Sequence, residues 1–88
     1  MSLEKILEEL EELGSSFDIT IRFEKGDFDG GYCIFKAERV IVINKKISPQ
    51  RKISILYKAF ENFGLSKDEM TIELRESIED ELVKLKLI

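Results

Sequence analysis

Leu3, Ile6, Leu7, Leu10 and Leu13 recur at i, i+3, i+4, i+7 and i+10, with Glu8, Glu9, Glu11 and Glu12 between them. That spacing draws one apolar stripe down an amphipathic helix, with Ser2 as N-cap and Gly14 as its stop. Phe17, Ile19, Ile21 and Phe23 then alternate with Asp18, Thr20, Arg22 and Glu24. Period two over eight residues predicts a strand with one buried face. Lys25–Gly31 holds three Gly and two Asp and reads as a turn or loop. Tyr32–Phe35 is a short apolar second strand. Lys36-Ala37-Glu38-Arg39 forms a tight connection, and Val40–Ile43 is a third strand. Its unbroken β-branched run predicts burial on both faces and a central place in the sheet.

Ser48-Pro49 opens the next helix, with Ser as N-cap and Pro at the first helical position. Ile53, Leu56, Phe60 and Phe63 form its stripe, Ala59 widens it, and Gly64 ends it. Ser66-Lys67-Asp68-Glu69 has capping-box spacing. A short helical turn there, a kink near Thr71–Ile72 and a final helix from about Glu73 to Lys86 complete the chain; one unbroken helix from Lys67 is the alternative. The expected order is α-β-β-β-α-α. This is an α+β fold, one small domain over residues 1–88, with a three-stranded, mostly antiparallel sheet and helices packed on one face.

Composition narrows the chemistry. In 88 residues there is no His and one Cys. This removes His-activated nucleophiles, His-containing zinc sites, internal disulfides and four-Cys zinc sites. The longest apolar runs are four residues, against about 20 for a membrane span. The N-terminus also lacks the basic start and apolar run of a secretory signal. With a free thiol, the expected location is the cytoplasm.

The net charge of −4 disfavours nucleic-acid binding, and no cofactor is expected. That charge is uneven. Residues 1–14 carry −4, residues 45–64 carry +4 and residues 65–88 carry −3. Such polarity favours internal complementarity or contact between copies.

Two clusters are candidate ligand sites. Asp27 and Asp29 in the Gly26–Gly31 loop could converge on a hard cation, although the spacing fails the calcium-loop pattern and every Gly-rich phosphate pattern. Lys45, Lys46, Arg51 and Lys52 surround the start of the second long helix, where an anion could bind. Cys33, inside an apolar strand, reads as a buried small hydrophobe. The helix carboxylates read as solvated faces.

Lys25-Gly26-Asp27-Phe28-x-Gly30-Gly31-x-Cys33 followed by Val40-Ile41-Val42-Ile43-Asn44-Lys45-Lys46 resembles a family of short uncharacterised bacterial proteins, which implies no activity. Roughly residues 15–63 are also similar to the ImmA/IrrE-type zinc metallopeptidase domain. The shared features are a Gly-rich loop, a strand ending in Ile43-Asn44, Ser48 and an amphipathic helix. That family's helix carries H-E-x-x-H, two His on zinc and a Glu that activates water. Tyr57-Lys58-Ala59-Phe60-Glu61 stand here instead, so the resemblance implies a degenerate, inactive scaffold.

Three functions follow in order. The first is a non-catalytic module for protein interaction or self-association. Its apolar surplus is expected at Leu3, Leu7, Leu10, Leu85, Leu87 and Ile88, which 88 residues struggle to bury. The second is a small anion- or ligand-binding protein using Asp27, Asp29, Lys45, Lys46, Arg51 and Lys52. The third is the inactive zincin-like domain.

Overall fold

The structure, a computed structural model, describes residues 1–86. Helix α1 (Leu3–Ser16) is followed by strands β1 (Ile19–Glu24), β2 (Gly30–Phe35) and β3 (Glu38–Asn44). Helix α2 (Pro49–Asn62), a 3-10 turn at Lys67–Glu69 and helix α3 (Ile72–Lys86) complete the order α-β-β-β-α-α. The sheet order is β1-β3-β2. It is a mixed sheet: β2 and β3 form an antiparallel hairpin, while β1 runs parallel to β3, Ile21 opposite Ile41. The chain must therefore cross from β1 past the place of β3 to start β2, and the Lys25–Asp29 loop makes that crossing. A central β3 implies this separation of β1 from β2; the parallel direction of β1 is the departure from the expected, mostly antiparallel sheet.

The helices cover one face of the sheet. Ile19 of β1 and Ile41 and Ile43 of β3 are buried, with Ile21 and Phe23 packed at the margin. Ile6 and Leu10 of α1, Ile53, Leu56, Tyr57 and Phe60 of α2, and Leu74 and Ile78 of α3 meet them in one core. β3 is central as its composition predicts, but only one of its faces is fully buried. Val40 and Val42, on the opposite face, are half-buried, because no second layer lies there among the described residues.

The caps explain most element ends. Ser2 Oγ accepts from the Lys5 N–H (3.1 Å), Ser48 Oγ from Arg51 (3.3 Å) and Thr71 Oγ1 from Leu74 (3.1 Å). α2 closes with Leu65 N–H on the Phe60 carbonyl and Gly64 N–H on that of Glu61, with Gly64 at φ 86°. The break expected near Thr71–Ile72 is therefore present, with Thr71 as the new N-cap.

α1 runs two residues past its expected stop. Gly14 is buried in the last turn of α1, where an added Cβ would stand 2.9 Å from Ile21 Cδ1 and 3.3 Å from Phe60 Cζ. Its small size is a packing requirement, and the reversal falls on Asp18 at φ 57°. Phe17 thus caps the helix, and β1 begins at Ile19. The guanidinium of Arg39 donates to the Phe17 carbonyl and ties this corner to β3.

Candidate functional site

The two clusters singled out from the sequence meet at one point only. Arg51, in the first turn of α2, forms an ion pair with the Asp29 carboxylate. The other members diverge. Lys52 directs its ammonium to the Phe23 ring, 5.7 Å from its centroid, while Asp27, Lys45 and Lys46 stand exposed. A basic helix start opposes the helix dipole, and here Asp29 offsets it from within the chain.

The loop itself is held from its centre. Asn44 is buried, and its Nδ2 donates to the carbonyls of Gly26 (3.0 Å) and Phe28 (2.8 Å). Its Oδ1 accepts from the Lys46 N–H (3.0 Å). The Phe28 ring lies where a Cβ on Gly26 would go. Two inward-facing loop carbonyls are thus committed to Asn44, and Asp29 to Arg51. Among the described residues no group of three or more Cys, Asp and Glu converges as a metal-ligand set.

The Tyr57–Glu61 window, set against H-E-x-x-H in the sequence, lies on α2. Tyr57, Lys58 and Glu61 line an open pocket of about 350 Å³ together with Ser54 and with Leu82 and Leu85 of α3. Tyr57 is buried within the core, and its hydroxyl has no hydrogen-bond partner among the described residues. A phenol, an ammonium and one carboxylate do not make a zinc site.

The unusual surface lies elsewhere, on β2, where all six residues are exposed. Tyr32 is 47% exposed, Ile34 70% and Phe35 60%, and Cys33 is an exposed thiol. Cys33 was expected to be buried; it is not, because β2 is an edge strand and Cys33 faces away from the helices. The apolar surplus is also in a different place from the one expected. Leu10 is fully buried, Leu3 and Leu7 pack on the core, and Leu85 is half-buried; Leu87 and Ile88 lie outside the described residues.

Register shows what this edge offers. Asn44 N–H donates to the Asp29 carbonyl (2.8 Å), so Asp29 and Asn44 form a hydrogen-bonded pair. Antiparallel pairs alternate. Gly31, Cys33 and Phe35 therefore bond Val42, Val40 and Glu38. The N–H and C=O groups of Gly30, Tyr32 and Ile34 point outward.

Side chains divide by parity. Tyr32 is on the helix face, its ring edge-on to Phe63 with centroids 5.4 Å apart. Gly30 shares that face, where an added Cβ would stand 2.8 Å from the Val42 carbonyl oxygen and 3.2 Å from Ile55. Gly31, Cys33 and Phe35 lie on the open face beside Val40 and Val42.

The opposite edge differs. β1 carries Thr20, Arg22 and Glu24 on its outer face, with an Arg22–Glu24 ion pair at 2.8 Å. Charges on an edge strand discourage pairing with another chain, and β2 has none from Gly30 to Phe35.

The signal for this site was present in the sequence. Tyr32-Cys33-Ile34-Phe35 is apolar at every position, so it is apolar on both faces, and only the centre of the sheet can bury both. β3 takes that place. No family model matches the chain, and neither a curated protein nor a solved structure shows significant similarity to it.

Proposed function

We propose that the protein is a non-catalytic interaction module that docks through β2. The observation that carries this reading is an uncharged edge strand, apolar on both faces and exposed along its whole length. Soluble proteins ordinarily cover or charge such an edge, because its unpaired backbone groups template pairing with another chain. The Asp29–Arg51 pair supports the same ranking, since the residues best placed to take an anion or cation already satisfy each other. The pocket beside Tyr57, Lys58 and Glu61 lacks the donors of a metallopeptidase centre. No described helix is long and apolar enough to cross a membrane. An exposed thiol suits a reducing compartment, and we place the protein in the cytoplasm.

The test is a photo-crosslinking residue at position 34, compared with one at Glu8 on the exposed face of α1, in the cells that make the protein. Adducts are expected from position 34 and not from position 8. Equal yields at both positions would remove the reading.

A further inference from the structure

We propose that the occupant of the β2 edge is a second copy of this chain. The two strands pair antiparallel about a twofold axis at Cys33, so that two three-stranded sheets become one continuous sheet. This rests on the reading of β2 as the working surface and names its partner.

The outward backbone groups restrict the choice of register. Gly30, Tyr32 and Ile34 present their N–H and C=O groups, so a twofold antiparallel ladder must pair even positions with even positions. An axis at Tyr32 sets Phe35 opposite the Asp29 carboxylate and Ile34 opposite Gly30, which wastes both apolar side chains. An axis at Ile34 sets Tyr32 against Lys36 and Gly31 against the turn residue Ala37, which shortens the ladder.

An axis at Cys33 pairs Tyr32 with Ile34 of the second copy, an aromatic opposite a β-branched residue, and each pair exchanges both backbone bonds. It also places Phe35 opposite Gly31. A Cβ on Gly31 would meet nothing within 4 Å, so the floor above it is open. An aromatic ring laid across a glycine in the neighbouring strand fills that kind of gap. The 60% exposed Phe35 ring thus gains a seat that one copy alone does not offer it.

Charge agrees with this direction. Each strand begins after Asp27 and Asp29, of which Asp29 is already paired with Arg51, and ends at Lys36, with no charge between Asp29 and Lys36. Antiparallel pairing brings the acidic start of one strand beside the basic end of the other; parallel pairing would set like beside like. Ile34, on the helix face, is 70% exposed, so this end of the edge is sterically open.

This register brings the two Cys33 residues directly opposite each other in a non-hydrogen-bonded pair, where Cα atoms approach to roughly 4.5 Å, within reach of a disulfide. Cys33 is therefore the reporter. Light scattering from low micromolar to millimolar protein should show the mass rising from 10.2 kDa to twice that value. Oxidised glutathione, oxidising one thiol pair to a disulfide at the expense of its own, should link the copies through Cys33. Ile34→Lys keeps every bond to β3, so circular dichroism should be unchanged while mass returns to the monomer and linkage is lost. A monomer at all concentrations, or a dimer that Ile34→Lys leaves intact, overturns the proposal. If position 34 nevertheless crosslinks to a different protein in cells, the docking reading stands and the second copy falls. If position 34 gives no adduct at all, both fall.

Discussion

Asn44 shows how much one side chain organises. It ends the central strand, and its amide satisfies two carbonyls of the crossing loop and one N–H of the next turn. Each such bond contributes about 0.5–1.5 kcal/mol net, and truncation leaves the loop carbonyls unpaired. Asn44→Ala should therefore lower stability by about 2–3 kcal/mol, a fall in Tm on the order of 10–20 °C for a chain of this size. Thermal unfolding followed by circular dichroism checks it, and an unchanged Tm would mean the loop is held by something else.

The sequence marks Asn44 only as the end of a strand, because its partners are 16 and 18 residues away. Cys33 differs from its sequence pattern for a related reason. Its apolar neighbours suggest burial, but burial depends on whether a layer lies over that face, and the helices pack on the other one. Ser2, Ser48 and Gly64 were legible because caps act within three or four residues of themselves.

At the scale of elements, all three helices and all three strands were readable from periodicity, including the interruption at Thr71. Strand order was readable too, since a central β3 places β1 and β2 on its two sides. Direction was not: β1 runs parallel to β3, which depends on contacts between distant residues, and local pattern carries no record of them. The hairpin joining β2 to β3 is unusually tight for its residues. Its two-residue turn holds Lys36 at φ 51° and Ala37 at φ 68°, the geometry of a type I′ turn that favours Asn-Gly. A left-handed backbone costs an ordinary L residue about 1–2 kcal/mol. Replacing Lys36-Ala37 by Asn-Gly should therefore stabilise the hairpin by about 1–2 kcal/mol. Denaturant unfolding in the Ile34→Lys background isolates this from any association. A loss of stability would show that the turn is not of this type.

At the scale of the whole molecule, charge and apolar surface tell different stories. The basic segment around residues 45–64 is in part neutralised inside the chain, through Arg51 and Asp29, so its polarity points less to an external anion than composition suggests. The apolar surplus could not all be buried. It was expected on the first helix and the C-terminal end, where periodicity is most visible. The helices instead buried their stripes against one face of the sheet, and the surplus fell on the strand left at the edge. A two-layer molecule covers one sheet face; β2, bonded to β3 on one flank and met by Phe63 at Tyr32, keeps its outer flank and its open face uncovered among the described residues.

Site-resolved amide hydrogen exchange at low and high protein concentration tests this account most directly. Gly31, Cys33 and Phe35, bonded to β3, should be protected at every concentration. Tyr32 and Ile34, whose N–H groups face outward, should exchange rapidly in dilute protein and become protected as concentration rises. Rapid exchange of Tyr32 and Ile34 at every concentration would contradict pairing between copies, and protection of both in dilute monomer would contradict an open edge.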